Sequence, residues 1–456
     1  MKLSTKKTNF ESLSATAIGQ SERLVRLIEV LFFIFLLVVL VRVSMGESDS
    51  VDARFARLDA TEAGDRVKQA AYTLAFITFL GLWIRLRGLR LPSCISLMQV
   101  LLIGWIILST TWAYDPNVSF RRAVLLVFVF ASIAISVDFL GPTRSLDVMY
   151  KALAACMTAS LISVFLFPSF AIHPPTEVDQ SIVGGWKGVF IHKNTAGAVC
   201  AMATIIFLHY GMARRRWYDW FFLAICVVFL VGCKAKTPLG LLLLVVPAGF
   251  LYRAAWHSAL GRLLVLLFIS SSAALVAVGV SGYSDKLAEL FSNPQSFTGR
   301  VAIWDTALAF SADHPWLGSG YSSLWAVSSA PPILPYMTDA FLEAIVHSHN
   351  GYLEMLATTG IPGLTLALVA ALVVPLFQFL FAPRANDIKF FSLLFSLWFF
   401  GLLENLMETQ LYTRDREVWI VFVTTILIVQ IKSKYFLDRR YIVTRRNAEI
   451  SPQNNV

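Results

Sequence analysis

The sequence predicts an all-α polytopic membrane protein with about twelve transmembrane helices and a large periplasmic loop that contains short helices of its own. Three observations predict it. Hydrophobic residues fill 57% of the 456 positions and charged residues only 15%, against roughly 45–50% and about 25% in soluble domains. Apolar runs near the bilayer-crossing length of about 20 residues recur along the chain. Basic residues gather in alternate connections between those runs, the pattern that fixes orientation in a membrane.

In chain order, residues 1–22 are polar and rich in Ser, Thr and Lys, a cytoplasmic tail by composition. The first run, Leu24–Val43, has charged ends and no small-residue cleavage site, so it reads as a retained helix rather than a signal peptide. Residues 44–68 carry both charge signs and read as a surface loop. Further spans are expected at Ala70–Ile84, Ser93–Thr111, Ala123–Leu140, Val148–Phe167, Asn194–Ala213, Trp217–Cys233, Pro238–Tyr252 and Leu263–Val280. Tyr352–Phe381, Phe390–Leu403 and Val418–Ile431 follow. Tyr352–Phe381 is longer than one crossing needs, and Gly360-Ile361-Pro362-Gly363 is where it should kink. The membrane domain thus runs over 23–433, and 434–456 form a second cytoplasmic tail.

With the N-terminus inside, the inner connections hold Arg85, Arg87 and Arg90, then Arg214-Arg215-Arg216, Arg253, Arg262, Arg384 and Lys389. The C-terminal tail adds Lys432, Lys434, Arg439, Arg440, Arg445 and Arg446. This satisfies the positive-inside rule and puts both termini in the cytoplasm. The net charge of +9 follows from these loops and does not call for nucleic acid as a partner. Against the rule, Arg121, Arg122, Lys187, Lys193, Lys234, Lys236, Arg300, Arg414 and Arg416 fall on the outer side. Each alone reads as a cation snorkelling to lipid phosphate. Together they describe an external cavity suited to an anion.

The longest polar interruption after the N-terminal region, residues 281–350, lies on that outer side. It holds Thr298-Gly299-Arg300, Ile303-Trp304, His314-Pro315-Trp316-Leu317-Gly318 and His347-Ser348-His349-Asn350. A loop this long without low complexity is usually a working element. Arg300 should open a helix over Arg300–Ala312, with Trp304 and Leu308 on its face. Its guanidinium suits bidentate phosphate binding; the plainer reading is an ion pair with Asp305 or Glu343. His349 stands where a histidine can act as a base near neutral pH. His347, two residues before it, invites a metal reading. On a helix, however, an i,i+2 pair points apart, so no metal is expected. The segment Gly185–Asn194 opens the next span, with Asn194-Thr195 as its cap and Lys187 and Lys193 beside a helix N-terminus that favours negative charge. His173, His192, His209, His257 and His314 read as structural. Cys94, Cys156, Cys200, Cys226 and Cys233 form no CxxC pair and read as small buried hydrophobes. No Walker motif, GxGxxG or HExxH occurs, so nucleotide chemistry is unsupported and no cofactor is expected.

These residues together resemble the O-antigen ligase and Wzy-type polysaccharide polymerase superfamily over roughly 105–363. Trp112-Ala113-Tyr114-Asp115-Pro116 with Arg121-Arg122 is similar to its first short outer loop. Lys187-Gly188-Val189-Phe190 with His192-Lys193-Asn194 is similar to its second, in the exopolysaccharide polymerase form. Gly299-Arg300, Ile303-Trp304, His314-Pro315, Leu317-Gly318, Gly320 and His349-Asn350-Gly351-Tyr352-Leu353-Glu354, with Gly360 and Gly363, resemble its large periplasmic loop and following helix. The resemblance implies an inverting, metal-independent glycosyltransferase of the bacterial inner membrane with a periplasmic site. Its donor would be an undecaprenyl-diphosphate-linked oligosaccharide and its product a growing polysaccharide chain, with the lipid bilayer, a flippase and a chain-length regulator as partners. His349 would be the base. Arg300, Lys187, Lys193, Arg121 and Arg122 would bind diphosphate, supported by Asn194, Asn350, Glu354 and Trp304. Where the family often has arginine, Lys187 keeps the charge but loses the fork. Glu343, Glu354, Glu404 and Glu408 rank lower as bases. Polymerase is the first reading and ligase the second. A secondary transporter or flippase also fits about twelve spans, but transporters place ionisable groups at mid-membrane within paired halves. Here such groups collect at the outer ends of the spans.

Overall fold

In a computed structural model, the residues described are 7–41, 66–177, 180, 182–255, 258–267, 270, 300–325, 327, 331–337, 345–381 and 387–450, with backbone only for 7–21 and 435–450. They are helical, and the β pairing among them is one isolated antiparallel bridge, Ile172 to Trp186. Residues 281–299, the span-ending stretch before them, His257, Glu343 and Arg384 fall outside the described set. Their expected roles are therefore not addressed by it.

The helices are Lys7–Leu40, Arg66–Arg87, Leu97–Ser109, Pro116–Leu166, Lys193–Arg214, Trp217–Cys233, Lys236–Ala254, Arg300–Asp313, Gly351–Leu368, Ile388–Glu404 and Glu417–Ile450, with shorter turns between. Five described helical segments are long and apolar enough to cross a membrane: Arg66–Arg87, Pro116–Leu166, Lys193–Arg214, Lys236–Ala254 and Gly351–Phe381. At about 1.5 Å per residue, the Pro116–Leu166 segment is far longer than a bilayer is thick. It breaks at Gly141, whose φ of 72° lies outside helical space, just before Pro142. Its two arms correspond to the expected spans Ala123–Leu140 and Val148–Phe167.

Local sequence sets where these helices begin. Ser96 and Gln99 form a reciprocal capping box for Leu97–Ser109, satisfying two backbone donors that a helix start leaves open. Asp115 accepts from the Val118 N–H and Pro116 takes the first helical position, where proline's missing donor costs nothing. Asn350 accepts from the backbone of Tyr352 and Leu353 to start Gly351–Leu368.

The helix from Glu417 is apolar on every side and buried throughout Val418–Ile431, so it is the axis of the bundle. Around it pack Pro116–Leu166, Ile388–Glu404 and Lys193–Arg214. Apolar burial does not separate one helix from another in lipid, so close packing of small residues has to hold them together. Gly249 does this. Its carbonyl accepts from Ser392 Oγ at 2.7 Å, and a Cβ there would stand 2.0 Å from Ser396 Oγ.

Gly351–Phe381 kinks where the sequence places the kink. Gly360 has φ 68°, which a glycine adopts at no steric cost, and a Cβ there would lie 2.1 Å from the Trp316 carbonyl oxygen. The kink seats His314–Gly318 of the large loop against the helix, with Ile361 N–H on Pro315 O at 2.8 Å and Ser319 N–H on Ala357 O at 2.9 Å. The first outer loop closes on the same segment. Trp112 Nε1 donates to Leu317 O at 3.1 Å, Tyr114 N–H to Ser319 O at 3.1 Å, and Asp115 N–H to Ser323 Oγ at 2.9 Å. Three stretches far apart in sequence thus share one end of the bundle.

Candidate functional site

Four elements meet at that end. Ile388–Glu404 finishes there, and Gly351–Leu368, Lys193–Arg214 and Arg300–Asp313 start there. The link after Glu404 carries Glu408, and Glu408 is the hub. Its Oε1 accepts from Arg300 Nη2 at 2.6 Å and from Asn194 Nδ2 at 3.2 Å. Its Oε2 lies 3.3 Å from His349 Nδ1. The Arg300 guanidinium also donates to the Met407 carbonyl. Arg300 and Glu408 side chains are only 11% and 14% exposed, His349 28%. One carboxylate therefore joins residues from the large loop, the second outer loop and the loop after residue 404.

Burial by itself would raise the Glu408 carboxyl. The hydrogen bond from His349, with the Arg300 guanidinium and the two imidazoles beside it, outweighs burial and holds Glu408 well below the usual carboxylate range. It is an anion throughout the physiological range.

The His347–His349 segment is not helical. His349 has φ 47°, and this left-handed turn brings its own N–H to 3.2 Å from His347 Nδ1. The two rings converge, with centroids 4.1 Å apart. The expectation that an i,i+2 pair points apart is thus corrected, because it assumed a helix where the chain is still a turn. Burial, the His349 and Arg416 charges beside it, and Arg300 lower His347 well below the ordinary imidazole value. Glu354 braces this turn from behind. Its Oε2 accepts from Ser348 N–H at 2.9 Å, Ser348 Oγ at 2.6 Å and Trp325 Nε1 at 3.1 Å. Asn350 pins the far end through its cap and through Nδ2 to Leu406 O at 3.2 Å, while Gly351 N–H donates to Asn405 O at 2.8 Å.

The second outer loop is fixed by histidines rather than by Asn194-Thr195. The cap of Lys193–Arg214 is His192, whose Nδ1 accepts from Asn194 N–H at 3.1 Å. This shift frees the Asn194 amide for Glu408. The Lys193 N–H donates to His173 Nε2 at 3.2 Å, and His173 Nδ1 lies 2.6 Å from Glu177. Lys193 is buried, its stem covering Gly185. Burial lowers His192 to about 4 against the pull of Glu408 and with the push of His349, Lys193 and Arg300.

The sign of the resulting pH effect is fixed. A buried neutral histidine with a lowered folded value gives stability that is complete above the unfolded value of about 6.5 and is lost as pH falls toward the folded one. The thermal midpoint of the protein is expected to drop between pH 6.5 and about 4. In His192→Asn, which keeps a capping side chain, that drop should be smaller. Equal pH dependence in the two proteins would refute this.

The other expected site residues divide. Arg300, His349 and Asn194 come together at Glu408, while Lys193, next to Asn194 in the chain, is buried with its stem against Gly185. Arg122 joins a neighbouring group instead: its Nη1 donates to Ser322 O at 2.5 Å, and its charge, with those of Arg414, Asp415 and Glu354, acts on Tyr321. Arg121 is half-buried next to it. Lys187 is held by its backbone, N–H to Ala171 O at 2.8 Å, beside the Ile172–Trp186 bridge. Trp304 lies one turn beyond Arg300, with Nε1 buried and without a hydrogen-bond partner among the described residues. Arg300 forms its ion pair with Glu408 rather than with the expected Asp305; Glu343 lies outside the described residues. The signal for Glu408 was the polar run Glu404-Asn405-Leu406-Met407-Glu408-Thr409-Gln410 between two apolar spans. Nothing in the sequence ranks Glu408 over Glu404 within it. The five cysteines are buried and unpaired with one another.

A family model described as O-antigen ligase matches residues 221–368. The stretch includes Arg300, His349, Asn350 and Glu354 and the apolar helices either side of the large loop. No curated protein matches the chain.

Proposed function

We propose that this chain, similar to O-antigen ligases over its large loop and flanking helices, is a membrane glycosyltransferase. It joins undecaprenyl-diphosphate-linked oligosaccharide repeat units into a polysaccharide at the periplasmic face. The observation that carries this reading is the Arg300–Glu408–His349 cluster. A buried anion orients one nitrogen of an imidazole and leaves the other available as a base. Cations of Arg300 and Lys193 stand at the same helix ends. Orientation supports the outer face. Lys193 and Arg214 end the same helix, about 30 Å apart at 1.5 Å per residue. Arg214-Arg215-Arg216 mark the inner end.

The mechanism follows from these parts. Glu408 takes the Nδ1 proton of His349 as a hydrogen bond, so the neutral ring keeps its lone pair on Nε2. That nitrogen removes the proton of the incoming sugar hydroxyl. The hydroxyl oxygen bonds to the anomeric carbon as the carbon–oxygen bond to diphosphate breaks, in one inverting displacement. Negative charge grows on the leaving diphosphate. Arg300, with three N–H groups beyond those on Glu408 and Met407, and Lys193 stabilise it. Lys187, Arg121 and Arg122 extend the cationic lining toward the carrier. The donor bears its own leaving group, so no nucleotide or metal is required.

The second reading, a ligase moving finished glycan to lipid A-core or protein, rests on the family match. Purified protein given lipid-linked repeats separates the two. Polymer growth without added acceptor supports polymerisation, transfer only upon adding an acceptor supports ligation, and transfer in neither case rejects both.

A further inference from the structure

We propose that His347, His349 and Glu408 form a binding site for a soft divalent transition metal of the Zn2+ type, and that its occupation switches the transferase off. Each residue offers one ligand atom, and these atoms lie within 4.8 Å of one another. Two imidazoles and one carboxylate, plus water, is a donor set that zinc takes in tetrahedral geometry. Ligand atoms on zinc stand about 3.4 Å apart for metal bonds near 2.1 Å, so closure needs a shift of about 1 Å. None of the three is fully enclosed, and His349, at 28% side-chain exposure against 14% for Glu408, opens the cluster to solvent.

The hydrogen bonds show which atoms are free to move. Glu408 Oε1 is committed to Arg300 and Asn194. Oε2 has the weaker contact, 3.3 Å to His349 Nδ1. Among the described residues, His347 Nδ1 holds the 3.2 Å donation from His349 N–H. A metal replacing the proton between Oε2 and His349 Nδ1, and taking His347 Nδ1, leaves both rings neutral with hydrogen on Nε2. That tautomer has no lone pair on the nitrogen facing the acceptor hydroxyl, so the base is lost. Arg300 on Glu408 and Arg416, whose charge reaches His347, oppose any cation. Hard Mg2+ and Ca2+, which rely on carboxylate charge, are thereby disfavoured. Imidazole donors retain Zn2+, Ni2+ and Cu2+.

The binding half of this proposal is independent of the transferase reading; the inhibitory half rests on it. Chelator-stripped full-length protein in lipid nanodiscs should take up one Zn2+ per chain in calorimetric titration, and Co2+ in its place should give visible d–d bands. His347→Asn should weaken uptake by roughly ten-fold or more. Transfer from lipid-linked repeats should fall to background with the same Zn2+ midpoint and recover with chelator. Absence of stoichiometric uptake, or uptake unchanged in His347→Asn, overturns the site. Uptake without loss of activity in an active enzyme overturns the switch. Uptake that depends on His347 in a protein inactive under every condition supports the site while rejecting the transferase reading.

Discussion

His349→Ala is expected to lower glycan transfer by at least about 100-fold, the lower bound for removing a positioned general base. The His349 side chain lies 28% exposed, with its Nδ1 on Glu408. Stability should therefore change little, and binding of the lipid-linked donor less still, because Arg300, Lys193 and Asn194 stay in place. The defect belongs in kcat. In cells, lipid-linked oligosaccharides report which step failed: single repeats on the carrier mean a lost polymerase, long chains on the carrier a lost ligase. Transfer that persists within a few-fold of wild type in His349→Ala removes His349 from the chemistry.

The second large effect concerns Glu408. Glu408→Gln keeps the shape and the link to Asn194 but removes the anion that His349 and Arg300 share. An amide can present its N–H to His349 and thereby favour the wrong tautomer. Loss of the orienting carboxylate in a serine triad costs about 10⁴-fold, and a drop of at least about 100-fold is expected here. Arg300→Ala instead leaves an anion nearly buried without its partner. A wholly buried pair broken this way costs about 3–5 kcal/mol, so roughly 2–3 kcal/mol is expected at this slightly exposed one. The double variant Arg300→Ala with Glu408→Gln should recover part of that stability and none of the activity. Additive stability losses would show that the two side chains do not share one site. The sign with pH is equally specific. Glu408 is depressed in the folded protein, so its contribution is complete above the ordinary glutamate value of about 4.3 and is lost only as pH falls further.

Much of this site could be read from residue order. Arg300, His349 and Asn350 stood in the one long polar loop, and Lys193-Asn194 at a span start, because a membrane leaves few places for charge. The kink at Gly360 was legible from its neighbours Pro362 and Gly363. The convergence of His347 and His349 was not, since it depends on a left-handed turn at a residue that is no glycine. The cap at His192 was missed because Asn194 is the better capping residue by preference, and its amide is taken by Glu408. Glu408 and Glu404 look alike in sequence. Only the fold separates them: Glu408 is drawn to Arg300 and His349, while Glu404, one turn earlier, is 1% exposed with an oxygen lacking a hydrogen-bond partner among the described residues.

Hydrophobic run length, the placement of arginines and the absence of nucleotide motifs determined the class of this protein, because lipid solvation imposes its rules on each segment separately. Which carboxylate faces which cation, and whether two neighbouring imidazoles meet, depended on pairings over as many as 214 positions of sequence, as between Asn194 and Glu408. Such contacts are fixed only when helix ends are brought side by side, and no local propensity encodes them.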